Sequence, residues 1–223
     1  VNGGADRFFW ESCKLFSENG FEVVTFTLGG RQNIPHFESS NFSSRFFSFD
    51  KTNPIKNIIN SFLLIFHNRR FCNSFKNVLE EENPDVVIIH NIYHRMPFTI
   101  LKTVKEYKDI PIYFWLHDYK FICPNHMLYR SLKKCRLCVN GKFLHSLIGL
   151  CQNKSFVQIL IVMLLAVFIK KENILDYVTA FIAPSQFVNN VFRNSFLNRY
   201  KIVTIPHFAY LVNNIVVEKK DFL

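Results

Sequence analysis

Asp85-Val-Val-Ile-Ile-His90, the segment Pro97 to Tyr107, and Ile110-Pro-Ile-Tyr-Phe-Trp-Leu116 form a strand–helix–strand unit in the middle of the chain. Both apolar runs have strand length and lack the alternation of a half-exposed strand, while the segment between them repeats at three and four like a helix. Strands that are apolar on both faces belong to a parallel sheet, and parallel neighbours need a crossover of this kind. Pro111 stands near the first residue of the second run, where a missing N–H is tolerated.

The same alternation extends in both directions. Ala5, Phe8, Phe9, Ser12, Cys13 and Phe16 mark one face of a helix that starts at Gly4 and stops at Asn19-Gly20, and Phe21 to Thr27 reads as a buried strand. Arg45 to Phe49 is a weaker strand, and Pro54 opens a helical stretch that reaches about Glu82, broken near His67-Asn68. Ala180 to Ala183, a helix from Ser185 to Asn194, and Lys201 to Ile205 continue it. The expected fold is α/β, a Rossmann-like doubly wound parallel sheet. At 223 residues with 49% apolar composition, the chain can bury one substantial core.

In such sheets ligands bind beyond the carboxyl ends of the strands. His90, Asn91, Tyr93 and His94 follow one strand here, His117, Asp118 and Tyr119 the next, and Ser185 and His207 the last two. A lone strand-end His is usually structural. Repetition at successive strand ends points instead to a cleft lined by imidazoles. Gly3-Gly4 fits that cleft, since it lets backbone approach a ligand while the following helix offers free N–H groups to a phosphate or carboxylate. No G-x-G-x-x-G or P-loop pattern occurs, which argues against an ordinary dehydrogenase or nucleotide hydrolase.

Lys plus Arg number 27 against 17 Asp plus Glu, a net charge of +10 that suits phosphates, nucleic acid or an anionic membrane, or simply a solvated basic surface. The start of the chain lacks the basic and apolar regions of a signal peptide, so a cytoplasmic location is expected. Cys123, Cys135-x-x-Cys138 and Cys151 then read as a structural zinc site or as free thiols, not disulfides. Phe156 to Ile169 is almost wholly apolar and bounded by lysines, but its fourteen residues fall short of a bilayer span of ~20. It is either a core helix or a helix lying at the membrane interface.

The blocks Gly3-Gly4-Ala5-Asp6-Arg7, Pro84 to Arg95, Leu116-His117-Asp118-Tyr119-Lys120 through Cys123-Pro124-Asn125, and Ala183-Pro184-Ser185 together resemble the N-terminal domain of family 4 glycosyltransferases, over nearly the whole chain. The resemblance implies the N-terminal, acceptor-side half of a GT-B fold spanning 1–223, with a Cys-rich insertion and apolar helix at 123–171. The first strand and the C-terminal donor domain are then expected to be missing, leaving this fragment inactive alone. It implies a retaining glycosyltransferase, needing no cofactor for catalysis. A sugar would move from a nucleotide-sugar donor to a saccharide or lipid-linked saccharide in polysaccharide or lipopolysaccharide synthesis, at the inner face of the cytoplasmic membrane.

Carried onto this sequence, the resemblance puts His117 beside the reacting sugar and Gly3 and Gly4 against donor phosphates or acceptor. Asn91, His94 and Arg95 become candidates for the acceptor side, with Ser185 at the next strand end; Asp118 is either the partner of His117 or a loop-capping residue. Asp6 stands where the family usually has Glu, His207 where Asn is common, and Ser146 where related chains carry a further Cys. Two other classes compete: a non-catalytic acceptor-binding subunit, and a zinc-containing nucleic-acid-binding protein. Against the latter, the Phe residues sit at core spacing and are poor platforms for base stacking, so no nucleic-acid partner is expected.

Overall fold

The computed structural model describes residues 3–28, 40–43, 69–92, 96–149, 151 and 156–208. The expected strand at 45–49 and the first part of the helix expected from Pro54 lie outside them, as do His94 and Arg95. Helix α1 (Gly4–Glu18) leads to β1 (Thr25–Leu28) and β2 (Ser40–Ser43). Then follow α2 (Arg69–Glu82), β3 (Val87–His90), α3 (Ile100–Tyr107) and β4 (Ile112–Trp115). The long connection after β4 holds the short strands β5 (Tyr129–Arg130) and β6 (Lys133–Lys134), then α4 (His145–Ile148) and α5 (Phe156–Lys171). After a 3-10 turn come β7 (Ala180–Ala183), α6 (Gln186–Arg193) and β8 (Ile202–Thr204).

The central sheet is fully parallel in the order β3-β4-β7-β8, with His90 opposite Trp115 and Trp115 opposite Ile182. β1 and β2 pair parallel with each other, and among the described residues no strand joins that pair to β3. The fold class is therefore the one expected: mixed α/β with a parallel, Rossmann-like sheet. Single elements match too. Asn19-Gly20 ends α1 by returning its N–H groups to Leu15, Phe16 and Ser17 carbonyls, and Ser185 caps α6 by accepting from the Val188 N–H at 3.2 Å.

Strand parity divides the interior. Ile89, Ile112, Phe114, Phe181 and Ile202 face the main core with α2, α3, α5 and α6, through Leu79, Leu101, Leu165 and Phe192. The alternate residues Trp115 and Ile182, with Ile88, Tyr113 and Val203, face the other side, where Phe8 of α1 covers them. Crossovers between parallel strands laid down in one direction place their helices on one face, and α1 occupies the opposite face. α5 packs inward: Leu165 and Ile169 lie in the main core, Met163 and Ala166 in a second cluster with Cys138 and Phe143, and Ile159 is buried as well. The core-helix reading of the apolar run is thereby favoured over the interfacial one.

Candidate functional site

Parity also decides which side chains meet beyond the strand ends. His90 is the last residue of β3, Trp115 is its partner in register, and His117 lies two residues further on, so all three lean to the α1 face. His90 Nδ1 and His117 Nε2 are 2.9 Å apart, one imidazole donating and the other accepting. Phe8 fills the floor: it meets Trp115 edge-on at 4.7 Å, His117 edge-on at 5.8 Å, and stacks on His207 at 4.1 Å. Three imidazoles from three strands thus gather on an aromatic base at the N-terminal end of α1. Each ring contact adds about 0.5–1.5 kcal/mol to burial.

The protonation states follow from burial. Loss of water, followed by the nearby imidazoles of His117 and His207, lowers His90 to about 3. His117 falls to about 4 by burial and by His207, while the Asp6 carboxylate in the first turn of α1 pulls the other way. Burial lowers His207 as well. His90 and His117 are therefore neutral at pH 7, able to orient hydroxyl groups and to face developing positive charge without repelling it.

That state couples to stability. An unfolded His titrates near 6.5 and these two titrate lower when folded, so the unfolded chain binds more protons in the interval and stability is lost as pH falls from about 6.5 towards 4. By pH 5 the loss should reach about 2–4 kcal/mol, seen in thermal unfolding as a Tm drop of roughly 5–15 °C. His90→Asn should flatten this dependence, and an unchanged pH profile in that variant would show that other groups control acid unfolding.

The remaining candidates divide. Gly3 caps α1 in an extended conformation, and a Cβ at Gly3 or Gly4 would meet nothing within 4 Å. Neither glycine is demanded by backbone angle or by packing against the described residues. Asn91 is exposed and left-handed, with φ +44°, directly after β3. Asp118 Oδ1 accepts from the Lys120 N–H at 2.9 Å, and the imidazole bonded to His117 is His90. Of the two readings of Asp118, the loop-capping one has the contact. Ser185 Oγ is spent as a helix cap. The sequence reading passed over Phe8 as the shared platform and His90 as the partner of His117. The signal was present: aligning the two strands on their buried residues sets His117 one same-face step beyond the residue opposite His90.

Residues 2–209 match the family model described as Glycosyltransferase Family 4. The chain belongs to this family. No curated protein and no solved structure was found to match it. Membership makes the chain part of a transferase lineage, and the parallel sheet with polar strand ends is the architecture expected of the family's N-terminal half.

The four cysteines of this glycosyltransferase chain's long connection are free thiols, Cys123 and Cys138 buried and Cys135 and Cys151 half-buried. They sense one another: burial and then the other three thiols raise Cys138 to about 12. Backbone N–H groups of Leu128, Asn125 and His126 reach the Cys123 sulfur, and that of Ser146 reaches Cys138. Among the described residues no three His, Cys, Asp or Glu side chains stand in a closed metal-ligand arrangement. The thiols are neighbours but not a formed cage. No described helix is long and apolar enough to cross a membrane.

Proposed function

We propose that the chain is the acceptor-side half of a retaining glycosyltransferase that moves a sugar from a nucleotide-sugar donor to a saccharide or lipid-linked saccharide during bacterial surface-polysaccharide assembly. The observation that carries the reading is the neutral His90–His117 pair held over Phe8 at the strand ends. In this reading His117 orients a hydroxyl of the transferred sugar and faces the charge of an oxocarbenium-like transition state with a lone pair, while His90 sets which nitrogen it presents. Gly3 and Gly4 leave room for a donor phosphate or acceptor group at the start of α1, whose free N–H groups favour an anion. Asn91, with His94 and Arg95, would hold acceptor hydroxyls or phosphate.

The test is a transfer assay on the full-length protein with a panel of nucleotide sugars and lipid-linked acceptors, the anomeric configuration of any product being read by NMR. Transfer with retention supports the proposal. Transfer with inversion, or none across the panel, overturns it.

A structural zinc ion on Cys123, Cys135, Cys138 and Cys151 is a further part of the proposal. Support comes from the mutual proximity of the thiols and from the backbone N–H groups aimed at Cys123 and Cys138. Binding would draw the sulfurs into a tetrahedron and turn them into thiolates. Native mass spectrometry should find one zinc per chain, and Cys135→Ser should lose it with a lower melting temperature. A metal-free chain that melts at the same temperature with and without chelator would remove zinc from the account.

A further inference from the structure

Positive charge in this chain is concentrated in one place. The stretch 119–171 contains nine Lys and Arg and no Asp or Glu, against a net charge of +10 for the whole chain. The ion pairs found among the described residues, from Arg7–Glu11 to Arg199–Asp176, all lie outside that stretch. Lys133, Lys134, Arg136 and Lys142 are all exposed.

The same stretch exposes aliphatic side chains to an unusual degree. Leu132 is 89% exposed, Ile148 82%, Leu144 65%, and Met127 and Leu137 more than half. Leu132 sits at the tip of the β5–β6 hairpin, where it and Ser131 have φ +61° and +47°. Such two-residue turns ordinarily take Asn-Gly, because bulky side chains resist the left-handed region. A leucine kept there, almost fully in water, is stabilised by nothing in the described fold. Leu144 and Ile148 lie four residues apart on one side of α4, joined by the Ile148 N–H to Leu144 carbonyl bond of 3.3 Å. Leu147 turns inward to pack with Cys138, Phe143 and Met163.

These tips adjoin. The Arg130 guanidinium of the hairpin lies 2.6 Å from where a Cβ on Gly149 would stand, directly after Ile148. Lys170, at the end of α5, lies against Gly141 in the same way. Aliphatic tips thus project from a basic stretch of chain that carries no carboxylate side chain of its own.

We propose that residues 127–148 form a docking surface for an anionic phospholipid bilayer, with Leu132 and Ile148 entering the headgroup boundary and Lys133, Lys134, Arg136 and Lys142 pairing with lipid phosphates. The two kinds of side chain demand this occupant together. Cations alone would suit any polyanion, but exposed aliphatic groups gain only by leaving water, and single-stranded nucleic acid would call for several aromatic platforms where this surface exposes one, Tyr129. Exposed aliphatic side chains interspersed with cations are the chemistry of a membrane-surface element. None of the residues 127–148 belongs to the imidazole site, and vesicle binding is read in an experiment separate from sugar transfer, so the two readings can fail independently.

The experiment is flotation of the full chain with vesicles of phosphatidylcholine alone or with about one-third phosphatidylglycerol, at ~0.15 M salt. The chain should float with the anionic vesicles and stay behind with the neutral ones. Lys133→Gln with Lys134→Gln should weaken partition by more than about tenfold, at roughly fivefold per charge. Leu132→Ser with Ile148→Ser should weaken it by about tenfold at unchanged melting temperature, since both side chains are exposed. Absence of flotation with anionic vesicles would overturn the proposal. So would full binding by the Leu132→Ser, Ile148→Ser variant together with release by soluble RNA or polyphosphate, which would make the surface a polyanion site.

Discussion

His117→Ala is expected to reduce kcat for sugar transfer by about 10²–10³-fold in the full-length enzyme, the usual cost of removing one positioned polar group from a reacting centre. The fold should survive. His117 is only partly buried and lies beyond the end of β4, so the loss is one hydrogen bond to His90 and the ring contacts with Phe8, Trp115 and His207. Leaving the His90 nitrogen without its partner costs about 1–3 kcal/mol, a shift that thermal melting would register without unfolding the chain. Asp118→Ala is the control. Its carboxylate holds the Lys120 N–H and not an imidazole, so transfer should fall only a few-fold while the turn loosens. Equal losses from the two variants would mean that the loop matters as a whole and His117 has no separate part in the reaction.

How much of this was legible beforehand depended on the range of the interaction. The central strands could be read from Asp85–His90 and Ile110–Leu116 because a parallel strand buried on both faces writes a continuous apolar run into the sequence. The ends of α1 and α6 could be read because Asn19-Gly20 and Ser185 act on their nearest backbone neighbours. The first expected strand shifted: Phe21 to Thr27 became Thr25–Leu28, with Phe21 left 62% exposed after the α1 cap. The β5–β6 hairpin gave no signal, since its turn is Ser131-Leu132 where Asn-Gly would announce it. The histidine site was half legible. Imidazoles at strand ends could be counted, but that Phe8 would reach across from α1 to floor them depends on how a helix crosses the sheet, which no local pattern carries. The sequence leaves Asp118 open between partner of His117 and capping residue, because adjacency suits both; its contact is with the Lys120 N–H.

Leu165→Glu is expected to abolish the folded state. Leu165 is 3% exposed in the main core, in the cluster that also holds Phe121, Ile169 and Leu175. The cluster itself holds no cation, and Lys120, which shares the lining of a small cavity with Leu165, is half-exposed; a carboxylate buried there without close pairing costs about 4 kcal/mol. That is a large part of the 5–15 kcal/mol net stability typical of a domain. Val167→Glu separates this cause from a general intolerance of acid in α5. Val167 is 42% exposed, and a glutamate there would stand three and four residues before Lys170 and Lys171, where ion pairs of about 0.2–0.5 kcal/mol can form. Far-UV circular dichroism and melting should therefore show Val167→Glu folded and Leu165→Glu unfolded or insoluble. If Leu165→Glu melted like the parent and lost only its vesicle binding, α5 would be an interfacial helix after all. The apolar run would then be the membrane contact, and the exposed tips at Leu132 and Ile148 would need another occupant. With α5 in the core, its apolar length supports the sheet from one side, and the lipid contact proposed above falls to the basic connection that precedes it.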